Sequence, residues 1–176
     1  MMKDTLLEML KPFGPSGSER AIREKIAETV RPYVDELFSD AMGNLIAVKR
    51  GTGEGRRVLF SAHMDTIGLM VYAADEKGFL RVTPLGGVNA AQMAARKVVF
   101  ENGAEGVVYS EPLPDGKYTM GRLFSDVGAE TEEQALKIAP VGSVCSLPLQ
   151  AAFLGERVSA PYMDNRSACA VLVELV

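Results

Sequence analysis

His63 is the only histidine of this 176-residue chain, and it stands two residues before Asp65 in Ala62-His63-Met64-Asp65. On an extended strand that spacing points the imidazole and the carboxylate to the same side. A carboxylate on one ring nitrogen fixes the tautomer and leaves the other nitrogen for a metal ion or a proton. The same pair also reads as a structural histidine, hydrogen-bonded within a core. A second polar group, Asp164-Asn165-Arg166, lies immediately before an apolar run. By itself it reads as a helix N-cap aspartate with a surface arginine.

Other polar clusters have plainer explanations. Glu130, Glu132 and Glu133 fall around the first turn of a helix that Thr131 and Gln134 would cap, where the helix dipole favours acidic groups. Gly51-Thr52-Gly53-Glu54-Gly55 is followed by a predicted strand rather than a helix, so it reads as a hairpin loop and not as a phosphate cradle. Cys145 and Cys169 are far apart and lack a CxxC neighbourhood. They read as small core residues in a reducing compartment.

The elements that must carry these groups begin with a helix. Ser16 and Glu19 have capping-box spacing, and Ile22, Ile26 and Val30 then repeat every four residues up to Pro32. Tyr33–Phe38 and Leu45–Lys49 are predicted strands around the turn-rich 40–44 segment. Val58–His63 is a nearly continuous apolar run, as expected of a strand buried on both faces, which would deliver His63 and Asp65 to its carboxyl end.

From Gly68 to Val158 the texture changes to short strand candidates punctuated by Gly, Pro and Asp: Leu69–Ala73, Phe79–Thr83, Val98–Glu101, Val107–Ser110, Leu123–Asp126, Val141–Ser146 and Gln150–Phe153. That spacing predicts a small β-barrel or sandwich. Asn165–Val176 is expected to form a helix apolar nearly all round, which demands burial on several sides. It lacks a capping glycine and a basic last turn, so it reads as a domain interrupted midway.

Composition narrows the function classes. The chain is 47% hydrophobic and 24% charged, as in ordinary globular proteins. A net charge of −4 leaves no cationic excess for phosphates, so no nucleic-acid partner is expected. No apolar run approaches the roughly 20 residues of a membrane span, and the first residues contain no secretion signal. The expected location is the cytoplasm, with no membrane association.

Several segments together resemble the M42 family of metal-dependent aminopeptidases, the glutamyl and tetrahedral aminopeptidase group. They are Pro15-Ser16-Gly17-Ser18-Glu19, Asp40-Ala41-Met42-Gly43-Asn44, Ser61-Ala62-His63-Met64-Asp65-Thr66-Ile67-Gly68, Gly86-Gly87, Ser125-Asp126-Val127-Gly128-Ala129 and Tyr162-Met163-Asp164-Asn165-Arg166. The resemblance implies an α/β fold: a partial catalytic domain with an inserted, small, PDZ-like β-barrel domain used for assembly. The expected boundaries are 1–68 for the first part of the catalytic domain, 69–157 for the insert and 158–176 for the start of the second part.

By the same resemblance His63 binds one of two divalent metal ions, zinc or cobalt. Asp65 is the catalytic carboxylate that orients His63, and Asp164 bridges both ions. The substrates implied are peptides, cut at their amino-terminal residue, and the implied partner is a further copy of the chain. The family's general base and remaining ligands follow the second motif, so this sequence reads as an N-terminal half that binds metal weakly and hydrolyses little. A non-catalytic assembly module and a half-enzyme complemented by another chain are the alternatives. Thr66 stands where the family usually has Glu, and Asn165 where Asp is commoner.

Overall fold

The computed structural model describes residues 2–111 and 113–176, which form two compact units: Met1–Thr66 with Leu149–Val176, and Ile67–Pro148. The first unit opens with helix α1 (Met2–Leu10) and helix α2 (Arg20–Val30), the latter ending in a 3-10 turn through Pro32 as its sequence predicts. The start of α2 differs from expectation. Its N-cap residue is Glu19, with no side-chain cap, because the Ser16 hydroxyl is committed to Asp65 and the Glu19 carboxylate accepts from the Gly17 amide at 2.7 Å.

Strands β1 (Glu36–Ser39) and β2 (Leu45–Val48) pair as an antiparallel hairpin. Its turn is closed by Asp40, whose carboxylate accepts from the Met42 and Asn44 amides at 2.9 Å each.

The next expectation fails. Residues 58–63 form no strand, and Val58, Leu59 and Phe60 are 70%, 90% and 61% exposed. A doubly buried strand needs a hydrogen-bonded neighbour and a layer over each face. Among the described residues no strand pairs with this run. For the same reason Gly51–Gly55 is not a hairpin loop.

The second unit is a closed, six-stranded barrel, as its strand spacing predicts. In chain order it contains β3 (Gly68–Ala74), β4 (Leu80–Leu85), helix α3 (Ala90–Met93), β5 (Lys97–Phe100), β6 (Glu105–Ser110), β7 (Leu123–Asp126), helix α4 (Glu132–Ile138) and β8 (Val144–Ser146). The spatial order is β3-β4-β7-β6-β5-β8, with antiparallel pairing throughout.

Alternation fills the barrel: Leu69 and Val71, Leu80 and Val82, Val98 and Phe100, Val108 and Leu123 all point inward and are at most 2% exposed. Thr131 caps α4 by accepting from the Gln134 amide at 3.3 Å, and Glu132 and Glu133 occupy its first turn, as the dipole reading requires. Helix α3, capped by Asn89, is too short for a periodicity to reveal.

The chain then returns to the first unit. Strands β9 (Ala152–Leu154) and β10 (Arg157–Ser159) form a two-stranded sheet of their own among the described residues, so the predicted Gln150–Phe153 strand becomes one arm of a hairpin rather than a barrel strand. Helix α5 (Met163–Leu175) follows. Its burial is one-sided: Cys169 and Ala170 are buried, whereas Val171 and Leu175 are 45% and 56% exposed. Met9, Ile22 and Ala170 make a small core, with Leu6, Ile26, Met64 and Val173 against it. No helix among the described residues is long and apolar enough to cross a membrane.

Candidate functional site

All three residues singled out by the sequence meet in the first unit. His63 Nδ1 lies 2.9 Å from Asp65 Oδ1, and His63 Nε2 lies 3.1 Å from Asp164 Oδ1. The imidazole is therefore held between two carboxylates drawn from opposite ends of the chain. The His63 side chain is 54% exposed and that of Asp164 is 94% exposed, so the site opens to solvent on the Asp164 side.

Asp164 is presented by an irregular start to α5. Tyr162 takes a left-handed conformation with φ +65°, Asp164 itself has φ −87° and ψ 107°, and the Asp164–Asn165 peptide is cis. Asp164 is thus not the N-cap of a regular helix but a side chain turned toward the imidazole. Arg166 is not at the surface either: it is 1% exposed. Its Nη1 donates to the Met9 carbonyl at 2.7 Å, in the last turn of α1, where unpaired carbonyls and the helix dipole favour a cation.

The other side of the site rests on the 14–16 segment, which runs parallel to Thr66. Thr66 donates its amide to the Gly14 carbonyl at 2.9 Å, and Ser16 donates its amide to the Thr66 carbonyl at 3.1 Å. The Ser16 hydroxyl donates to Asp65 Oδ2, so both carboxylate oxygens of Asp65 are engaged. Ser16 escaped the sequence reading because its spacing to Glu19 matched a capping box. The parallel run against Thr66 is a long-range pairing that no local pattern announces.

The electrostatics follow from these contacts. Burial pulls the His63 pKa down, but hydrogen bonds and charge from Asp65 and Asp164 outweigh it and raise the value above its usual one. Burial pushes the Asp65 carboxyl up, and the Ser16 and His63 hydrogen bonds more than reverse this, leaving it below the usual carboxylate range.

Cys169 donates its thiol to the His63 carbonyl at 3.3 Å, and burial raises its pKa. Burial also pushes Cys145 up to about 12. Both are core thiols, as expected from the sequence, and neither is poised as a nucleophile.

Chemically, the arrangement sets one imidazole nitrogen beside one carboxylate oxygen, with Asp65 on the other ring nitrogen. That donor pair suits a divalent transition metal. Among the described residues, no three His, Cys, Asp or Glu side chains converge to hold an ion. The residues present thus fit a partial ligand set of two donors.

Comparison with known proteins adds to this geometry. The family model described as M42 glutamyl aminopeptidase matches residues 43–176. A protein of Acetivibrio thermocellus, provisionally named an aminopeptidase, is 41% identical over all of this chain and 54% of its own length. The lysyl aminopeptidase of Pyrococcus furiosus is 32% identical, over 97% of this chain and 53% of its own. Among solved structures, the Pyrococcus horikoshii TET1 peptidase, described as able to assemble into a tetrahedron or a large octahedral shell, superposes with a TM-score of 0.82. It is 31% identical and is matched over 99% of this chain and 55% of its own. The chain spans about half the length of these relatives. With the family model covering three quarters of its residues and the likeness running end to end, the chain belongs to the M42 glutamyl aminopeptidase family.

Proposed function

We propose that this chain forms part of a metal-dependent aminopeptidase that removes amino-terminal residues from peptides. The carrying observation is the imidazole of His63 between two carboxylates, Asp65 on Nδ1 and Asp164 at Nε2. His63 Nε2 and Asp164 would hold divalent metal, zinc or cobalt, in a centre of two ions completed by ligands beyond these. Metal held there would supply an acidified water for attack on a peptide carbonyl and an open position for a free amino terminus. Asp65 would accept from an Nδ1–H, the tautomer in which Nε2 presents its lone pair. Asp164, solvent-facing and opposite His63, would bridge the two ions.

The domain reading extends the two compact units. Met1–Thr66 with Leu149–Val176 would be the catalytic part, and the barrel an inserted assembly domain through which copies of the chain associate in the cytoplasm. Support comes from the assembly described for the TET1 peptidase. It also comes from exposed Tyr72 on the barrel, beside a shallow groove lined by Thr83, Pro84 and Met120.

The test is a zinc titration of the chelator-treated chain by calorimetry, with His63→Ala as control. It is paired with an assay of the native protein, at its native mass, for release of amino-terminal residues from peptides. Weak zinc uptake lost in His63→Ala, and chelator-sensitive hydrolysis by the native protein, are the expected results. Uptake indifferent to His63, or hydrolysis indifferent to chelator, would sink the reading.

A further inference from the structure

We propose that Ser16 is a positioning residue of this site: its hydroxyl holds Oδ2 of Asp65 so that Oδ1 stays on Nδ1 of His63 and Nε2 is turned toward Asp164. The proposal rests on the function just argued, but its central claim concerns the orientation of the imidazole, which can be measured by itself.

The contacts form one chain, Ser16 to Asp65 to His63 to Asp164. Its far end is anchored. The Ser16 and Thr66 amides stitch the 14–16 segment to the residue after Asp65, and Thr66 is 4% exposed. Behind that segment there is no slack: a Cβ on Gly14 would lie 2.7 Å from Arg166 Nη2 and 2.8 Å from Ile22 Cγ2. The backbone that carries the hydroxyl is therefore fixed in space, while the carboxylate it holds is not fixed by its own torsion, because the terminal torsion of Asp is broad. Asp65 is partly exposed, and without Ser16 its Oδ2 would turn to water. Groups that orient a metal-binding histidine in this way typically contribute 10–100-fold to metal affinity.

A purely structural role for Ser16 predicts something different. The backbone bonds of residue 16 to Thr66 survive any side-chain change, so a serine that only fastens the loop could lose its hydroxyl without moving the imidazole. A serine that positions Asp65 could not.

Because His63 is the only histidine, nitrogen-15 spectra of the imidazole report this site alone. With the ring neutral and zinc absent, the wild-type chain should show the Nδ1–H tautomer. Ser16→Ala should shift the population toward the Nε2–H form that dominates in water, and should weaken zinc binding about 10-fold. Ser16→Thr, which keeps the hydroxyl, should restore both. If Ser16→Ala does not fold, the near-isosteric Ser16→Cys makes the same comparison, since a thiol is a poor donor.

A wild-type ring that is not Nδ1–H, or identical tautomer populations in wild type, Ser16→Ala and Ser16→Cys, would overturn the proposal. Zinc that leaves the wild-type Nε2 resonance unmoved, with the tautomer still dependent on Ser16, would uphold the positioning role and remove the metal reading instead.

Discussion

At His63 the protonation state decides how many hydrogen bonds are donated: a neutral ring gives a proton to one of Asp65 and Asp164, and a protonated ring to both. Stability should therefore depend on pH through this cluster. The His63 value is raised from the ordinary 6.5, so its contribution is fully present below 6.5 and is lost as pH rises through the higher folded value. The Asp65 value is lowered from 3.8, so its contribution is present above 3.8 and is lost as pH falls through the lower folded value. The full effect lies between about pH 4 and 6.5. In metal-free buffer, the gap in melting temperature between wild type and His63→Gln should be widest there and close toward pH 9. With a half-exposed ring it should correspond to no more than about 1 kcal/mol. A gap that stays level from pH 5 to 9 would mean that the two carboxylates do not hold the ring.

At the scale of elements, local pattern was a good guide wherever an element satisfies itself with near neighbours. The β1–β2 hairpin, α2, the capped α4 and the barrel strands all follow from periodicity and turn residues. It misled where long-range contacts decide: the Ser16 hydroxyl abandons its capping box for Asp65, Arg166 folds inward to the end of α1, and Val58–Phe60 has no partner strand among the described residues. His63, Asp65 and Asp164 were legible only through the family resemblance, since an HxD pair and a pre-helical Asp are each common by themselves.

The contrast can be measured. At Gly78, φ is +82° and a Cβ would lie 2.4 Å from the Ala129 carbonyl oxygen, so Gly78→Ala should lower stability by roughly 1–3 kcal/mol. Leu59, 90% exposed, should tolerate Leu59→Ser within about 0.5 kcal/mol despite its apolar type. Chemical denaturation of the two variants checks both. A large loss in Leu59→Ser would show that the 58–60 run is covered in solution.

For the whole molecule, the two units differ in how they are held together. The barrel closes on itself, leaving no free edge strand among the described residues, and buries Leu69, Val71, Leu80, Val82, Val98, Phe100, Val108 and Leu123 around one axis. The first unit rests on the small Met9, Ile22 and Ala170 cluster, two separate hairpins and a segment, 49–65, with no regular structure. Resistance to unfolding follows buried apolar area and local contact density, so the units should not melt alike. Heating should give two transitions, the lower from the first unit. Limited proteolysis should cut first within 49–65 and leave a resistant core close to Ile67–Pro148. Leu80→Ala, at a wholly buried barrel position, should cost about 2–5 kcal/mol and lower the upper transition alone. Calorimetry of wild type and Leu80→Ala separates the possibilities: a single transition displaced as a whole would show that the units unfold as one body.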